Sequence, residues 1–169
     1  GDFVRAAGLA EAAWQGMNAS FQSAAWLGWV KKLPDKLIRT RPVLCTQIAQ
    51  AFTDTGELEA SELRLQDAER CLDGSDLANE AQLKHLPAII ALTRAYNAQV
   101  QSDPAATVKY AELALQLIPE DDFDQRARAT TILDVTHWAS GNLESAIRGI
   151  VDSMERLTQL GNHVFVVAS

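Results

Sequence analysis

The chain has 169 residues, 47% of them hydrophobic and 22% charged, with a net charge of -7. That is enough apolar material for a core, and the acidic balance argues against a segment that grips a phosphate backbone by itself. The longest apolar run, Leu86 to Leu92, is too short to span a bilayer, and Cys45 and Cys71 form no CxxC or Cys/His cluster, which leaves no zinc-ligand pattern and fits a reducing cytosol.

Alanine and leucine dominate, and Gly and Pro cluster between apolar-periodic segments, so the elements are read as helices. Residues 2–17 place Phe3, Ala7, Ala10, Trp14 and Met17 on one stripe. Asn18 or Ser20 suits the cap of a second helix over 20–33, which carries Phe21, Trp26, Trp29 and Val30 and ends at Pro34. Trp14, Trp26 and Trp29 are expected to fill the core. The stretch 34–41 is the most basic part of the chain and reads as a linker. Pro42 then opens a helix over 42–55, followed by one over 58–72.

A long helix over 77–101 is expected next, with a break or kink near Pro87. Helices over 105–118, 124–140 and 143–160 follow, and another starts at 162–169. Glu120 to Asp124 is acidic but lacks calcium-loop spacing, so it reads as a connector that favours the next helix start. His85, His137 and His163 are scattered, and no nucleophile or metal ligand accompanies them. No catalytic residue and no metal site is expected.

One short turn recurs between these helices: Gly56-Glu57-Leu58, Ser102-Asp103-Pro104 and Gly141-Asn142-Leu143, with a weaker copy at Gly1-Asp2-Phe3. A turn this short makes consecutive helices antiparallel. Five residues after the turn stand Ala6, Ser61, Thr107 and Ala146, and twelve after it Ala13, Ala68, Ala114 and Ser153. Small residues at both places let two helices approach closely. Ala49 and Ala95 lie seven residues before their turns, where the third copy has Asp134, either exposed or functional. The turns are 46 and then 39 residues apart, longer than the roughly 34 of a tetratricopeptide repeat. The expected fold is all-α: a right-handed solenoid of antiparallel helical hairpins in one repeat domain over 1–169.

The segment Ser102-Asp103-Pro104 through Tyr110-Ala111 to Ile118-Pro119 resembles a tetratricopeptide repeat. With the opening Gly1-Asp2-Phe3 and Ala6-Ala7, the WVKKLP stretch ending at Pro34 and the sequence RTRPVLC from Arg39 to Cys45, the chain resembles more specifically the helical-repeat region of MalT-like, ATP-dependent regulators of the LuxR group. The resemblance covers nearly the full length, and Phe52, Thr53 and Asp134 depart from it. It implies a segment of a longer cytoplasmic protein that senses an inducer and passes the signal on. An ATP-hydrolysing module and a helix-turn-helix domain are implied elsewhere; here there is neither a GxxxxGK phosphate loop nor a basic recognition helix. Hence no cofactor, no nucleic acid and no membrane is expected to meet this segment.

In tetratricopeptide arrays the first helix of each hairpin lines a concave groove, at places about 3, 6 and 10 residues before the turn. By that resemblance the groove would take Thr53, Gln50 and Thr46, with Asp54 beside them. Gln99 and Tyr96 follow from the next hairpin, then Trp138 and Thr131 with Arg128 from the third. The partner such a groove fits is a small polar inducer or an extended peptide. Self-association through exposed end helices, as a scaffold, is the alternative.

Overall fold

The computed structural model describes residues 2–73, 83–141, 144, 147–149 and 151. They are helical, with no strand among the described residues. The elements are α1 (Asp2–Ala19), α2 (Ser23–Val30), α3 (Asp35–Ile38), α4 (Pro42–Thr55), α5 (Leu58–Asp73), α6 (Leu86–Val100), α7 (Pro104–Leu117) and α8 (Phe123–Ala139). Gly1, the connector at 74–76, the expected helix start at 77 and the segments 152–160 and 162–169 lie outside the described residues.

Four helices end in the same way. At Gly56 (φ 80°) the Gly56 amide donates to the Thr53 carbonyl and the Glu57 amide to that of Phe52, the paired bonds of a Schellman turn. Ser102 (φ 58°) repeats it, with its amide on Gln99 and the Asp103 amide on Ala98. Gly141 (φ 78°) donates to Trp138 in the same position. Phe21 (φ 56°) makes a fourth copy, with its amide on Asn18 and that of Gln22 on Met17. The copy at Phe21 was hidden because a phenylalanine stands where glycine is favoured. It moves the start of α2 from residue 20 to Ser23, and Gln22, not Asn18 or Ser20, occupies the N-cap without a side-chain bond. Phe21 and Gly56 are 35 residues apart, close to the roughly 34 of a standard helical-hairpin repeat.

Local chemistry fixes the other ends. Pro42 and Pro104 sit in the first turns of α4 and α7, where a missing amide proton costs nothing. Asp103 and Asp122 cap α7 and α8 by accepting from the amides of Ala106 (3.0 Å) and Gln125 (3.2 Å). Arg126 donates to the Leu115 and Ile118 carbonyls at 3.0 and 3.1 Å, closing the end of α7. Pro87 is the second residue of α6, which begins at Leu86 after a turn at 83–85, so the interruption expected near Pro87 takes the form of a helix start.

The chain divides into two compact units, residues 1–93 and 94–169, with the division inside α6. The first unit packs α1 on α2, both on α4, and α4 on α5. Trp14 and Trp26 meet with ring centroids 4.7 Å apart, and the Trp26 indole donates to the Ala10 carbonyl at 2.9 Å. Leu44, Ile48, Leu65 and Leu72 extend that core. Trp29, expected inside, is 54% exposed, because α2 turns its Trp26, Leu27 and Val30 side inward. Ala6 is exposed as well, and α1 buries Ala7, Ala10 and Trp14 instead.

In the second unit α7 packs on α8, and Ala111, Ala114, Ala129 and Ile132 are buried. The small residues after the turns are buried in both units: Ser61 and Ala68 in one, Thr107 and Ala114 in the other. Asp134 is also buried, and a β-carbon on Gly149 would fall 1.8 Å from its Oδ1. The bare glycine is what leaves room for a carboxylate there.

A left-handed conformation costs a side-chain-bearing residue roughly 1–2 kcal/mol, and Phe21 is 97% exposed, so its ring repays nothing inside the fold. Phe21→Gly is therefore expected to raise stability by about 0.5–1 kcal/mol after the entropy of glycine is counted. Gly56→Ala is expected to lower it by about 1 kcal/mol. Thermal denaturation of both variants checks the pair.

Candidate functional site

The nine residues assigned to a groove fall in both units, four in the first and five in the second. Thr46 is a correction: it is 1% exposed and its hydroxyl donates to the Pro42 carbonyl at 2.9 Å. Gln50 accepts from the Trp14 indole at 3.1 Å, and Asp54 accepts from the Ser23 hydroxyl at 2.5 Å. The Thr53 hydroxyl donates to Ala49 and lies 3.1 Å from that of Ser61. This stretch of α4 is therefore engaged by α1, α2 and α5. Counting back from the turn placed these residues in register but could not show that Trp14 of α1 and Ser23 of α2 bond to Gln50 and Asp54.

In the second unit Tyr96, Arg128 and Thr131 are exposed, Gln99 is half-buried and Trp138 is 65% exposed. Thr131 donates to the Ala127 carbonyl of its own helix at 2.8 Å. Arg94, one residue pair from Tyr96, lies 5.9 Å from the Tyr110 ring, as a cation against an aromatic face. His85 is exposed and His137 half-buried.

The first unit contains a feature with no sequence signal of its own. A half-open cleft of about 150 Å³ lies between α2, α3, α4 and α5. Leu27, Val30, Leu33, Ile38, Ile48 and Phe52 form its apolar wall, and Lys31, Asp35 and Arg64 its charged rim. Val30, Lys31 and Leu33 belong to the WVKKLP stretch. Asp35 and Ile38 come from the segment read as a linker, which contains the four-residue helix α3.

An ion network holds that rim. The Arg64 guanidinium donates to Asp35 Oδ1 at 2.6 Å and to Asp67 Oδ2 at 3.0 Å. Arg39 donates to the other Asp35 oxygen at 2.7 Å, and Arg70 to Asp67 Oδ1 at 2.7 Å. Asp67 is buried among these arginines. The hydrogen bond from Arg64 holds the Asp35 carboxyl below the usual range, so the network persists into mild acid. Arg41 forks onto Glu11 of α1 at 2.9 and 2.5 Å, a bidentate pair that pins the start of α4. The basic linker is thus bonded inward to acidic partners on α1 and α5.

Both thiols serve the same corner. Cys45 donates to the Ile38 carbonyl at 3.2 Å and Cys71 to that of Arg39 at 2.8 Å, satisfying the end of α3. Burial pushes the Cys45 thiol up to about 12, with the Asp67 charge adding to it. A thiol so protonated is a poor nucleophile at neutral pH.

No known family model, no curated protein and no solved structure matches this chain. Among the described residues no helix is long and apolar enough to cross a membrane, and no group of three or more His, Cys, Asp or Glu could hold a metal ion.

Removing the buried carboxylate would leave its arginines facing one another across a buried position. Asp67→Ala is expected to cost about 2–3 kcal/mol in chemical denaturation. The Cys45 shift makes a second expectation. The unfolded chain releases this proton near pH 9 and the folded chain keeps it to about 12, so the folded state gains protons relative to the unfolded one. Stability should fall as pH rises through that window, and Cys45→Ala should show a shallower fall when both are unfolded from pH 8 to 11.

Proposed function

We propose that this chain is the helical-repeat sensing domain of a cytosolic, MalT-like regulator of the LuxR group. It binds an inducer or a partner and couples that event to self-association and DNA binding by other modules. The observation that carries this reading is the helix-ending turn, repeated with one pair of hydrogen bonds at Phe21, Gly56 and Ser102 and with the first bond of that pair at Gly141. A chain that reverses helix direction at such intervals suits a right-handed solenoid, and solenoids work by presenting a surface. The WVKKLP and RTRPVLC stretches, which carry the resemblance, support the regulator family. ATP belongs to another module in this reading, and no catalytic group is assigned here.

The exposed Tyr96, Arg128, Thr131 and Trp138 of α6 and α8, with the half-buried Gln99, are the surface we assign to recognition. An inducer acts only through a difference in affinity between two states of the regulator. A generic scaffold for a protein partner is the second reading, favoured by the exposed Phe21, Trp29 and Trp138.

A thermal-melting screen against polar metabolites separates the two. A sensor gives a concentration-dependent rise, about 2.7 kcal/mol at a hundredfold excess over the dissociation constant. Tyr96→Ala and Arg128→Ala should each weaken the hit about tenfold and leave the unliganded melting temperature unchanged. A flat screen favours the scaffold, and unchanged affinity in both variants removes the recognition surface from α6 and α8.

A further inference from the structure

The cleft of the first unit has a chemistry that selects its occupant. Its volume of about 150 Å³ matches a cavity that admits a benzene-sized body. The wall of Leu27, Val30, Leu33, Ile38, Ile48 and Phe52 consists of aliphatic side chains and one ring. None of these side chains offers a hydrogen bond. A hydroxylated body would lose its water there and gain no partner in return, so sugars and sugar acids are disfavoured.

The rim decides the charge. Both oxygens of Asp35 already accept from guanidinium groups, Oδ1 from Arg64 and Oδ2 from Arg39. Arg64 is committed to Asp35 and Asp67 and acts as a fixed wall. Lys31 is different. Its ammonium lies 3.7 Å from Glu57 Oε1, beyond a good hydrogen bond, and 5.3 Å from the centroid of the Phe52 ring that walls the cleft. It is more than half exposed and lines the cleft with donors to spare. Of the charged side chains that line the cleft, Lys31 and Arg64 stand with Asp35, a surplus of one positive charge in a chain of net charge -7. An amine would find the lining carboxylate, Asp35, already held by two guanidinium groups. A phosphate dianion would need more donors than one ammonium supplies.

We propose that the cleft between α2, α3, α4 and α5 binds a small monocarboxylate with a compact apolar body, branched or single-ring, its carboxylate on Lys31 and its body against Phe52 and Ile48. The site is built from residues of the first unit and does not depend on the regulator reading.

The test uses the 169-residue chain with its methyl groups labelled, titrated in NMR with benzoate, isovalerate and the neutral benzyl alcohol. Benzoate and isovalerate should shift the methyls of Leu27, Val30, Ile38 and Ile48 saturably, with half-saturation on the order of 1 mM for so small a ligand. Benzyl alcohol should bind about tenfold more weakly. Lys31→Met, a change at an exposed position, should weaken benzoate about tenfold and leave benzyl alcohol within about twofold, and Lys31→Arg should restore benzoate. Equal binding of benzoate and benzyl alcohol, unsaturated shifts scattered over the surface, or benzoate binding indifferent to Lys31→Met would each overturn the proposal.

Discussion

A helix that must reverse direction has to satisfy its last carbonyls before the chain turns away. Here one left-handed residue does this at Phe21, Gly56, Ser102 and Gly141, and at the first three it brings the next helix start within two residues. Everything downstream follows from that economy of chain. Short turns force α4 and α5, for example, to lie side by side, and small residues such as Ser61 and Ala68 then become buried contacts. Where glycine closes the turn, the geometry comes without strain. Where phenylalanine or serine does, the surrounding bonds must hold it.

The corner between α2 and α5 rests on a second device. Its linker is rich in positive charge, and each arginine in it is answered by a carboxylate from another helix, Arg39 by Asp67 and Arg41 by Glu11, with Asp35 of the linker itself also bonded to Arg39. Exposed pairs of this kind contribute little singly, but a network that shares a buried carboxylate fixes geometry. The result is a rim tied down on one side by Arg64 and left exposed on the other at Lys31. Rigidity beside a single adaptable charge is an arrangement suited to recognition.

Much of this was legible in the sequence because helix signals are local. Pro42, Gly56, Pro104 and Gly141 announce helix ends by their own backbone chemistry. Phe21 could not, since nothing in a phenylalanine signals a left-handed residue. Nor could Pro87 distinguish the kink of a long helix from the start of a shorter one. The groove assignment shows the limit more sharply. Thr46 and Gln50 sit at the right spacing from Gly56, with Asp54 beside them, but spacing gives a face and not what bonds to it. For Gln50 and Asp54 those partners come from Trp14 of α1 and Ser23 of α2, distant in the chain. The cleft was invisible for the same reason: its walls come from four separate helices, and only Val30, Lys31 and Leu33 share a recognisable stretch.

The shortest of those helices carries a thermodynamic consequence. Four residues are too few to form a helix alone, because the nucleus is never offset by later turns. α3 exists because Ile38 is buried, Asp35 is held by two guanidinium groups, and two thiols donate to its final carbonyls. It is assembled entirely by parts of the chain that come together in the native state. The wall it lends to the cleft therefore has no counterpart in the unfolded chain. Binding at the cleft is accordingly linked to folding in full, with none of its free energy lost to a denatured competitor.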